Sequence, residues 1–270
     1  MNICFIGGGN MASALIGGLL KRGFSTAHIR VVDINPENCA RLHSEYSVRA
    51  STDLSAGVAH CEVIVLSVKP QQLRELALQL SPILSGQLII SIAAGIRTAD
   101  LLRWLGSENI VRTMPNTPAL IRRGITGMFA LPGVSAAHRH AAQTIMAAVG
   151  NTLWLESETM IDAVTAISGS GPAYVFYFIE AMQQAAIELG FNPHDARRLV
   201  LDTFMGASKL ADESSEEVGA LRARVTSKNG TTERAILSME ANEVLQHIKQ
   251  AVHAAAARSA ELGIELGAQS

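Results

Sequence analysis

Short apolar runs without polar alternation recur through the first half of the chain. Four are clear strand candidates: Ile3–Ile6, Ile29–Val32, Val63–Leu66 and Leu88–Ile92. Runs of this kind are typical of strands buried on both faces, because helices cover both sides of a parallel sheet. Two weaker candidates are Ile110-Val111 and Thr152–Leu155. The pattern predicts an α/β fold with a doubly wound, mostly parallel sheet.

The strand signal ends near Glu156, and helical segments with recognisable ends follow it. Asn192-Pro193 is typical of a helix start, and Ser214 to Glu217 resembles a capping box. The expected helices cover 174–189, 193 to about 210, 218–225 and about 242–262. The sequence therefore predicts two domains, 1–156 with the sheet and an all-helical 157–270.

The helical half is rich in small and apolar residues, including the run Ala254–Ala257. A soluble monomer rarely exposes that much apolar surface. We therefore expect this half to form a dimerisation domain, with the protein present as a homodimer or a higher homo-oligomer.

Composition excludes several classes of partner. The net charge is −2, and no basic run exceeds a pair of arginines, so we expect no binding of nucleic acid. The charge-free stretch Leu76–Ile96 is long enough to span a bilayer, but it contains Pro82, Gly86 and glutamines, and we interpret it as a helix, a turn and a strand. We expect no membrane association and a cytoplasmic location.

Cysteines and histidines give no metal-site signal. The three cysteines, Cys4, Cys39 and Cys61, form no Cys-x-x-Cys spacing, and the histidines are scattered apart from His138-x-His140. We expect no metal and no disulfide framework, and we expect Cys4 to be a small core residue within a strand.

A glycine cluster follows the first predicted strand and opens a helix. The segment from Gly7 to Ala12 reads Gly-Gly-Gly-Asn-Met-Ala, which fits Gly-x-Gly-x-x-Ala in a strand, turn and helix context. Gly7 allows the turn, Gly9 allows the backbone to approach a pyrophosphate, and Ala12 allows the helix to pack closely on the strand. The motif predicts a Rossmann dinucleotide site that includes Ile6, Gly7, Gly8, Gly9, Asn10 and Met11.

The second strand leads directly into Asp33, a position where a carboxylate usually accepts hydrogen bonds from the adenosine ribose. Its negative charge repels a 2′-phosphate, and the sequence therefore favours NADH over NADPH. The alternative is that Asp33 caps the following turn and that Arg30 or Arg41 turns toward a phosphate.

Three further segments follow predicted strands, at the edge of the sheet where ligands collect in α/β folds. The first contains Lys69, a candidate catalytic acid or a contact to cofactor phosphate or ribose, although a solvated lysine at a helix start is the alternative. Asn116 suits a carboxamide, or forms an Asx-turn. The predicted cofactor contacts here are Ser67, Val68, Lys69, Pro70, Ala93, Ala94, Gly95 and Asn116.

The segment Val225–Thr232 combines the tight-turn pair Asn229-Gly230 with two threonines that lead into a helical run. A corner of this kind directs N–H groups and hydroxyls toward one point, which suits a small carboxylate. A turn and helix cap without any ligand is the alternative.

Taken together, these segments resemble pyrroline-5-carboxylate reductase, the last enzyme of proline biosynthesis, over essentially the whole chain. Five motifs carry the resemblance in order: 7–15, 67–71, 112–118, 166–175 and 225–236. The resemblance implies a Rossmann domain followed by an all-helical dimerisation domain. It also implies an oxidoreductase that reduces the C=N bond of 1-pyrroline-5-carboxylate to L-proline by hydride transfer from NADPH or NADH.

The resemblance also implies roles for the turn segment. Ser227, Gly230, Thr231 and Thr232 correspond to the substrate loop, with the substrate carboxylate on the N–H groups of Gly230 and Thr231. Thr232 is then the catalytic candidate that orients the ring nitrogen or relays a proton to it. The family usually has two adjacent glycines in this loop, whereas the first position here is Asn229, which tolerates positive φ better than most residues.

Two other functions stay open at the level of the residues. One is a dehydrogenase of 2-hydroxyacids with a helical second domain, in which Lys209 or Lys228 acts on a hydroxyl. The other is a non-catalytic dinucleotide sensor whose helical half binds a partner protein, although such a sensor has no use for a substrate loop.

Overall fold

A computed structural model of the chain describes residues 1–268. It divides into two compact units, which are described separately below. The sheet unit contains Met1–Ser170 together with the chain from Ala255 onward, and the helical unit is Gly171–Ala254. The domain limits 1–156 and 157–270 stay a prediction.

The sheet unit contains eight strands in the order β3-β2-β1-β4-β5-β6-β7-β8. Neighbours from β3 to β6 are parallel, β7 is antiparallel to β6, and β8 is parallel to β7. The strands are β1 (Ile3–Ile6), β2 (Ile29–Val32), β3 (Arg49–Ser51), β4 (Val63–Leu66), β5 (Leu88–Ser91), β6 (Ile110–Met114), β7 (Gly124–Ala130) and β8 (Gly150–Trp154).

All six strand candidates from the sequence correspond to strands of this sheet, and the doubly wound, mostly parallel arrangement is confirmed. The sequence did not reveal β3 and β7. The first is only three residues long, with exposed Arg49 and Ser51 at its ends. The second contains Gly124 and Gly127, which interrupt the apolar run that predicts a strand.

Helices cover both faces of the sheet. Alternate residues of β1 enter different cores: Ile3 and Phe5 pack on one face, and Cys4 and Ile6 pack on the other. Cys4 is fully buried, as expected. The helices of this unit are α1 (Asn10–Lys21), α2 (Pro36–Tyr46), α3 (Leu54–Val58), α4 (Pro70–Leu80), α5 (Thr98–Leu105), α6 (Ala136–Ala147) and α7 (Met160–Val164).

The chain continues as helices α8 (Gly171–Glu188), α9 (Pro193–Glu213), α10 (Val218–Arg224), α11 (Thr231–Ala241) and α12 (Val244–Gly267). The predicted cap of α9 is confirmed, because the side chain of Asn192 accepts the N–H of Asp195 at 3.0 Å. The capping box at Ser214 is wrong. Ser214 instead follows the last residue of α9, and α10 begins after Glu217 without a side-chain cap.

The second half of α12 belongs to the sheet unit. Ser259 Oγ donates to Asp162 Oδ1 at 2.7 Å, and Arg97 Nη2 donates to the carbonyl of Ala260 at 3.2 Å. Leu266 is buried in the same core cluster as Leu101. The last helix therefore supplies part of the core of a unit that begins at the first residue.

Residues 1–268 include no helix that is both long and apolar enough to cross a membrane. Within the same residues, no three side chains of His, Cys, Asp or Glu are grouped so that they could hold a metal ion. The cysteines Cys4, Cys39 and Cys61 are free and buried.

Candidate functional site

The glycine loop between β1 and α1 has the geometry of a cradle. Gly7 has φ +99°, and a Cβ there would lie 2.6 Å from the carbonyl oxygen of Ser67. A Cβ on Gly8 would lie 2.6 Å from Leu42 Cδ1, whereas a Cβ on Gly9 would meet no atom within 4 Å. The first two glycines are thus required by the fold, and the third faces open space beside the start of α1.

Charged and polar side chains fix this loop. Asp33 Oδ2 accepts the N–H of Gly8 at 2.7 Å, and Arg41 Nη2 donates to the carbonyl of Gly8 at 2.7 Å. Ser67 Oγ donates to the carbonyl of Gly7 at 2.7 Å. The carboxylate of Asp33 and the guanidinium of Arg41 therefore hold the N–H and the carbonyl of Gly8. The hydroxyl hydrogen of Ser67 is already donated to the backbone of this loop.

A cavity of about 470 Å³ opens beside the loop, a volume within the usual range for ligand pockets. Seven residues named from the sequence line it: Ile6, Gly7, Gly8, Gly9, Asp33, Val68 and Lys69. It also contains residues that the sequence did not single out, among them Asn35, Asn38, Thr52, Leu54, Gln72 and Leu76. Thr52 follows β3, and without that strand the sequence gives no reason to place it here.

Asp33 is half-buried and has several partners besides Gly8. Its Oδ1 accepts the N–H of Asn35 at 2.8 Å, and its Oδ2 accepts from Asn38 Nδ2 at 3.3 Å. Neither of the arginines considered from the sequence is directed at this carboxylate. Arg30 donates to the carbonyls of residues 56 and 59 instead, and Arg41 is held by Gly8.

Lys69 lies at the rim of the same cavity, at the residue before α4. It is exposed, and it forms no salt bridge within the part of the chain that the structure describes. Pro70 occupies the first turn of α4, as its fixed φ favours. The ammonium group of Lys69 is thus available to a ligand beside the glycine loop.

The segment after β5 does not line the cavity but shows a distinct constraint. Ala93 is buried and Ala94 is exposed, while Gly95 has φ +75°. A Cβ on Gly95 would lie 2.9 Å from Leu266 Cδ1 in α12. The last helix therefore packs directly against this loop.

Asn116 is 9% exposed, and its side chain bonds within the protein at both ends. Nδ2 donates to the carbonyl of Ser168 at 3.1 Å, and Oδ1 accepts the N–H of Ile125 at 3.0 Å. One amide hydrogen and one lone pair remain for other partners.

An ion pair that sequence reasoning missed joins the buried Arg112 of β6 to the partly buried Glu158. Arg112 Nη1 contacts Glu158 Oε1 at 2.8 Å, with side-chain exposures of 3% and 22%. Glu158 also accepts the N–H of Thr98 at 2.7 Å and its hydroxyl at 2.6 Å. Glu158 thus ties the start of α5 to β6, a strand that leads toward Asn116. The sequence carries no signal for a partner 46 residues away.

The loop expected to bind substrate lies between α10 and α11 in the helical unit. Gly230 donates its N–H to the carbonyl of Ser227 at 3.0 Å. Asn229 has φ +61°, so the asparagine takes the left-handed position. α11 begins at Thr231, and the N–H groups of Thr231 and Thr232 have no backbone acceptor among the described residues. A helix N-terminus with free donors suits an anion.

The comparisons with known proteins agree over the full length. A family model described as pyrroline-5-carboxylate reductase dimerisation matches residues 158–262, and a model described as NADP oxidoreductase coenzyme F420-dependent matches residues 2–95. A pyrroline-5-carboxylate reductase of Pseudomonas aeruginosa is 48% identical, with 98% of both chains covered. The chain belongs to the pyrroline-5-carboxylate reductase family. A reductase of the same name from Haemophilus influenzae is 44% identical, with 96% of this chain and 97% of the relative covered.

Solved structures of pyrroline-5-carboxylate reductases show the same fold. The Coxiella burnetii protein has a TM-score of 0.92 at 39% identity, over 97% of this chain and 98% of that one. The Plasmodium falciparum protein, solved with NADP bound, has a TM-score of 0.87 at 29% identity, with the same coverage. The family resemblance and the two-part fold class expected from the sequence are confirmed.

Proposed function

We propose that the chain is an oxidoreductase that reduces the C=N bond of 1-pyrroline-5-carboxylate to L-proline, the last step of proline biosynthesis. The observation that carries the proposal is identity of up to 48% over nearly the full length to reductases of that name. The geometry supports it, because the chain has both a dinucleotide cradle and a loop with free donors at a helix start. Alternative dehydrogenase or sensor functions have no comparable support.

The cradle fits a nicotinamide dinucleotide. Gly9 leaves open space where the backbone must approach a pyrophosphate, and α1 starts directly beside it. When bound, NAD(P)H supplies the hydride. We assign the cofactor contacts to Ile6, Gly7, Gly8, Gly9, Asn10, Met11, Asp33, Ser67, Val68, Lys69, Pro70, Ala93, Ala94, Gly95 and Asn116.

Within that set, the residues act in different ways. Asp33 and Ser67 act mainly by holding the glycine loop in its bound shape, because both already hydrogen-bond to its backbone. Lys69 is free to contact a phosphate or ribose oxygen or to act as an acid. Asn116 keeps one donor and one acceptor for a carboxamide.

The chemistry that the chain supplies at the substrate is orientation and charge. The resemblance implied that the substrate carboxylate rests on the N–H groups of Gly230 and Thr231, but the N–H of Gly230 already donates to the carbonyl of Ser227. We therefore assign the carboxylate to the N–H groups of Thr231 and Thr232. The half-buried Thr232 hydroxyl then hydrogen-bonds the ring nitrogen, either orienting it or relaying a proton. A hydroxyl is a weak acid near neutral pH, so Thr232 does not act as a strong acid.

A direct assay tests the activity. Purified protein is mixed with 1-pyrroline-5-carboxylate and reduced cofactor, and oxidation is followed by absorbance, with keto acids and semialdehydes as the comparison panel. We expect turnover with the cyclic imine and formation of L-proline. Equal or faster turnover with a keto acid would reject the proposal in favour of a hydroxyacid dehydrogenase.

We assign the cofactor preference to NADH, although the Plasmodium falciparum relative has NADP bound. Asp33 lines the cavity, Arg30 donates to two backbone carbonyls, and Arg41 donates to the Gly8 carbonyl and pairs with Glu45. A 2′-phosphate would thus meet a carboxylate without a free arginine. The ratio of kcat/KM for NADH and NADPH measures the preference, and Asp33→Asn should shift it toward NADPH. A wild-type ratio that favours NADPH would contradict this assignment.

We further propose a homodimer or larger homo-oligomer built by the helical half, 157–270, with 1–156 as the dinucleotide-binding domain. In the helical unit, α8 has no buried residue, and several large apolar side chains are more than half exposed: Phe176, Tyr177, Leu189, Met205 and Leu210. Light scattering should give at least twice the monomer mass of 28.7 kDa. A monomer at micromolar concentration would refute this. A cytoplasmic location and the lack of nucleic-acid binding stay predictions.

A further inference from the structure

In the substrate loop the left-handed backbone conformation falls on an asparagine and not on the neighbouring glycine. Asn229 adopts φ +61°, while the glycine that follows it has φ −87°. The left-handed region disfavours side chains, although asparagine tolerates it better than most residues. The loop thus places a residue with a side chain where glycine would be free of strain, and some contact must hold it there.

Gly230 cannot exchange places with its neighbour. A Cβ on Gly230 would clash with Ser227 Oγ and lie 3.0 Å from the Ser227 carbonyl oxygen. The N–H of Gly230 donates to the same carbonyl. The backbone of Gly230 therefore packs closely against Ser227, and the left-handed conformation falls on the residue before it, Asn229.

Glu233 supplies the contact that holds Asn229. Its Oε2 accepts the Asn229 N–H at 2.6 Å, a short charge-assisted hydrogen bond. Glu233 is the third residue of α11 and is half-buried. In a capping box, a glutamate at this position bonds the N–H of the residue that caps the helix, here Gly230. Glu233 instead reaches one residue further back, to the residue with positive φ.

We propose that Glu233 is a positioning residue of the substrate loop. By accepting the Asn229 N–H it holds that residue in the left-handed conformation, and so it fixes the direction of the N–H groups of Thr231 and Thr232. This inference rests on the proposed function, since it concerns the site assigned to the substrate carboxylate. Glu233 itself does not contact the substrate, because its carboxylate already accepts the Asn229 N–H and would repel a second carboxylate.

Four variants test the inference: Glu233→Ala, Glu233→Gln, Asn229→Gly and the double variant Glu233→Ala/Asn229→Gly. Loss of the tether should raise KM for 1-pyrroline-5-carboxylate about tenfold in Glu233→Ala, the factor expected for one hydrogen bond. The kcat should stay within about twofold, because the loop still adopts the bound shape at saturation. Glu233→Gln keeps an acceptor oxygen and should restore most of the affinity.

The glycine variants separate positioning from a general structural role. Glycine enters the left-handed region without strain, so the effect of Glu233→Ala on KM should be smaller when Asn229 is already glycine. The Kd for the reduced cofactor, measured by fluorescence, should be unchanged in all four variants. A wild-type KM in Glu233→Ala, or an equal rise with and without Asn229→Gly, would overturn the inference. Absence of imine reduction by the wild type would instead reject the proposed function.

Discussion

The buried pair of Arg112 and Glu158 allows a sharp test of what stabilises the sheet unit. Glu158→Ala removes three contacts at once: the ion pair to Arg112 and both hydrogen bonds from Thr98. The side chain of Arg112 is 3% exposed and its Nε has no partner among the described residues, so loss of the carboxylate leaves a buried charge without its counter-charge. Breaking a buried pair on one side costs about 3–5 kcal/mol.

That cost is measurable by thermal and urea unfolding at a fixed protein concentration. For a chain of this size it corresponds to a decrease of about 10 °C in Tm. Glu156→Ala is the matched control, because this neighbouring glutamate is exposed and its side chain forms no hydrogen bond or salt bridge with the residues that the structure describes. We expect Glu156→Ala to stay within about 0.5 kcal/mol of the wild type.

Glu158→Gln refines the result, since it keeps acceptor oxygen for Thr98 but loses the charge that pairs with Arg112. It should fall between the wild type and Glu158→Ala. If Glu158→Ala unfolds within about 1 kcal/mol of Glu156→Ala, the pair is not the buried interaction that the geometry indicates, and the argument from desolvation is refuted.

Three further predictions concern the proposed reaction. Thr232→Ala should lower kcat by about 10²–10⁴ if the hydroxyl relays a proton, and much less if it only orients the ring nitrogen; wild-type turnover would refute both roles, and Thr232→Ser is the control. Gly9→Ala should unfold at the wild-type urea concentration yet lose cofactor affinity, because its Cβ points into open space, whereas Gly7→Ala should lose stability as well. Equal stability of these two variants would contradict the cradle geometry. Gly95→Ala should raise the KM for the cofactor, because the new Cβ displaces the loop proposed to contact it. At φ +75° alanine costs about 1–2 kcal/mol, and its Cβ approaches α12. An unchanged KM would show that this loop does not contact the cofactor.

The strands of the sheet are readable from sequence where burial on both faces gives unbroken apolar runs. β1, β2 and β4 begin and end as expected. β7 is not readable in this way, because Gly127 packs against Val164 and its small size reflects a neighbour that is distant in sequence. Strand propensity alone does not encode such a contact.

The glycine loop of the site could be predicted from the sequence, whereas its side-chain contacts could not. The glycine loop is encoded locally, since turn geometry and helix start depend on neighbouring residues, and the seven predicted residues around the cavity reflect this. The bonds of Asn116, the ion pair of Arg112 and the tether from Glu233 depend on side-chain directions in the folded chain. The sequence marks the first two residues as polar in a loop or strand but gives no information about their partners.

The path of α12 sets an order of events during translation. The sheet unit includes both the first strand and the last turns of the chain, and Leu266 fills its core beside Ala93 and Ile96. That core stays incomplete until Leu266 has been synthesised, long after the glycine loop has emerged from the ribosome. A tag or truncation at the carboxyl end consequently acts on the sheet unit and not only on the helical unit that precedes it in sequence.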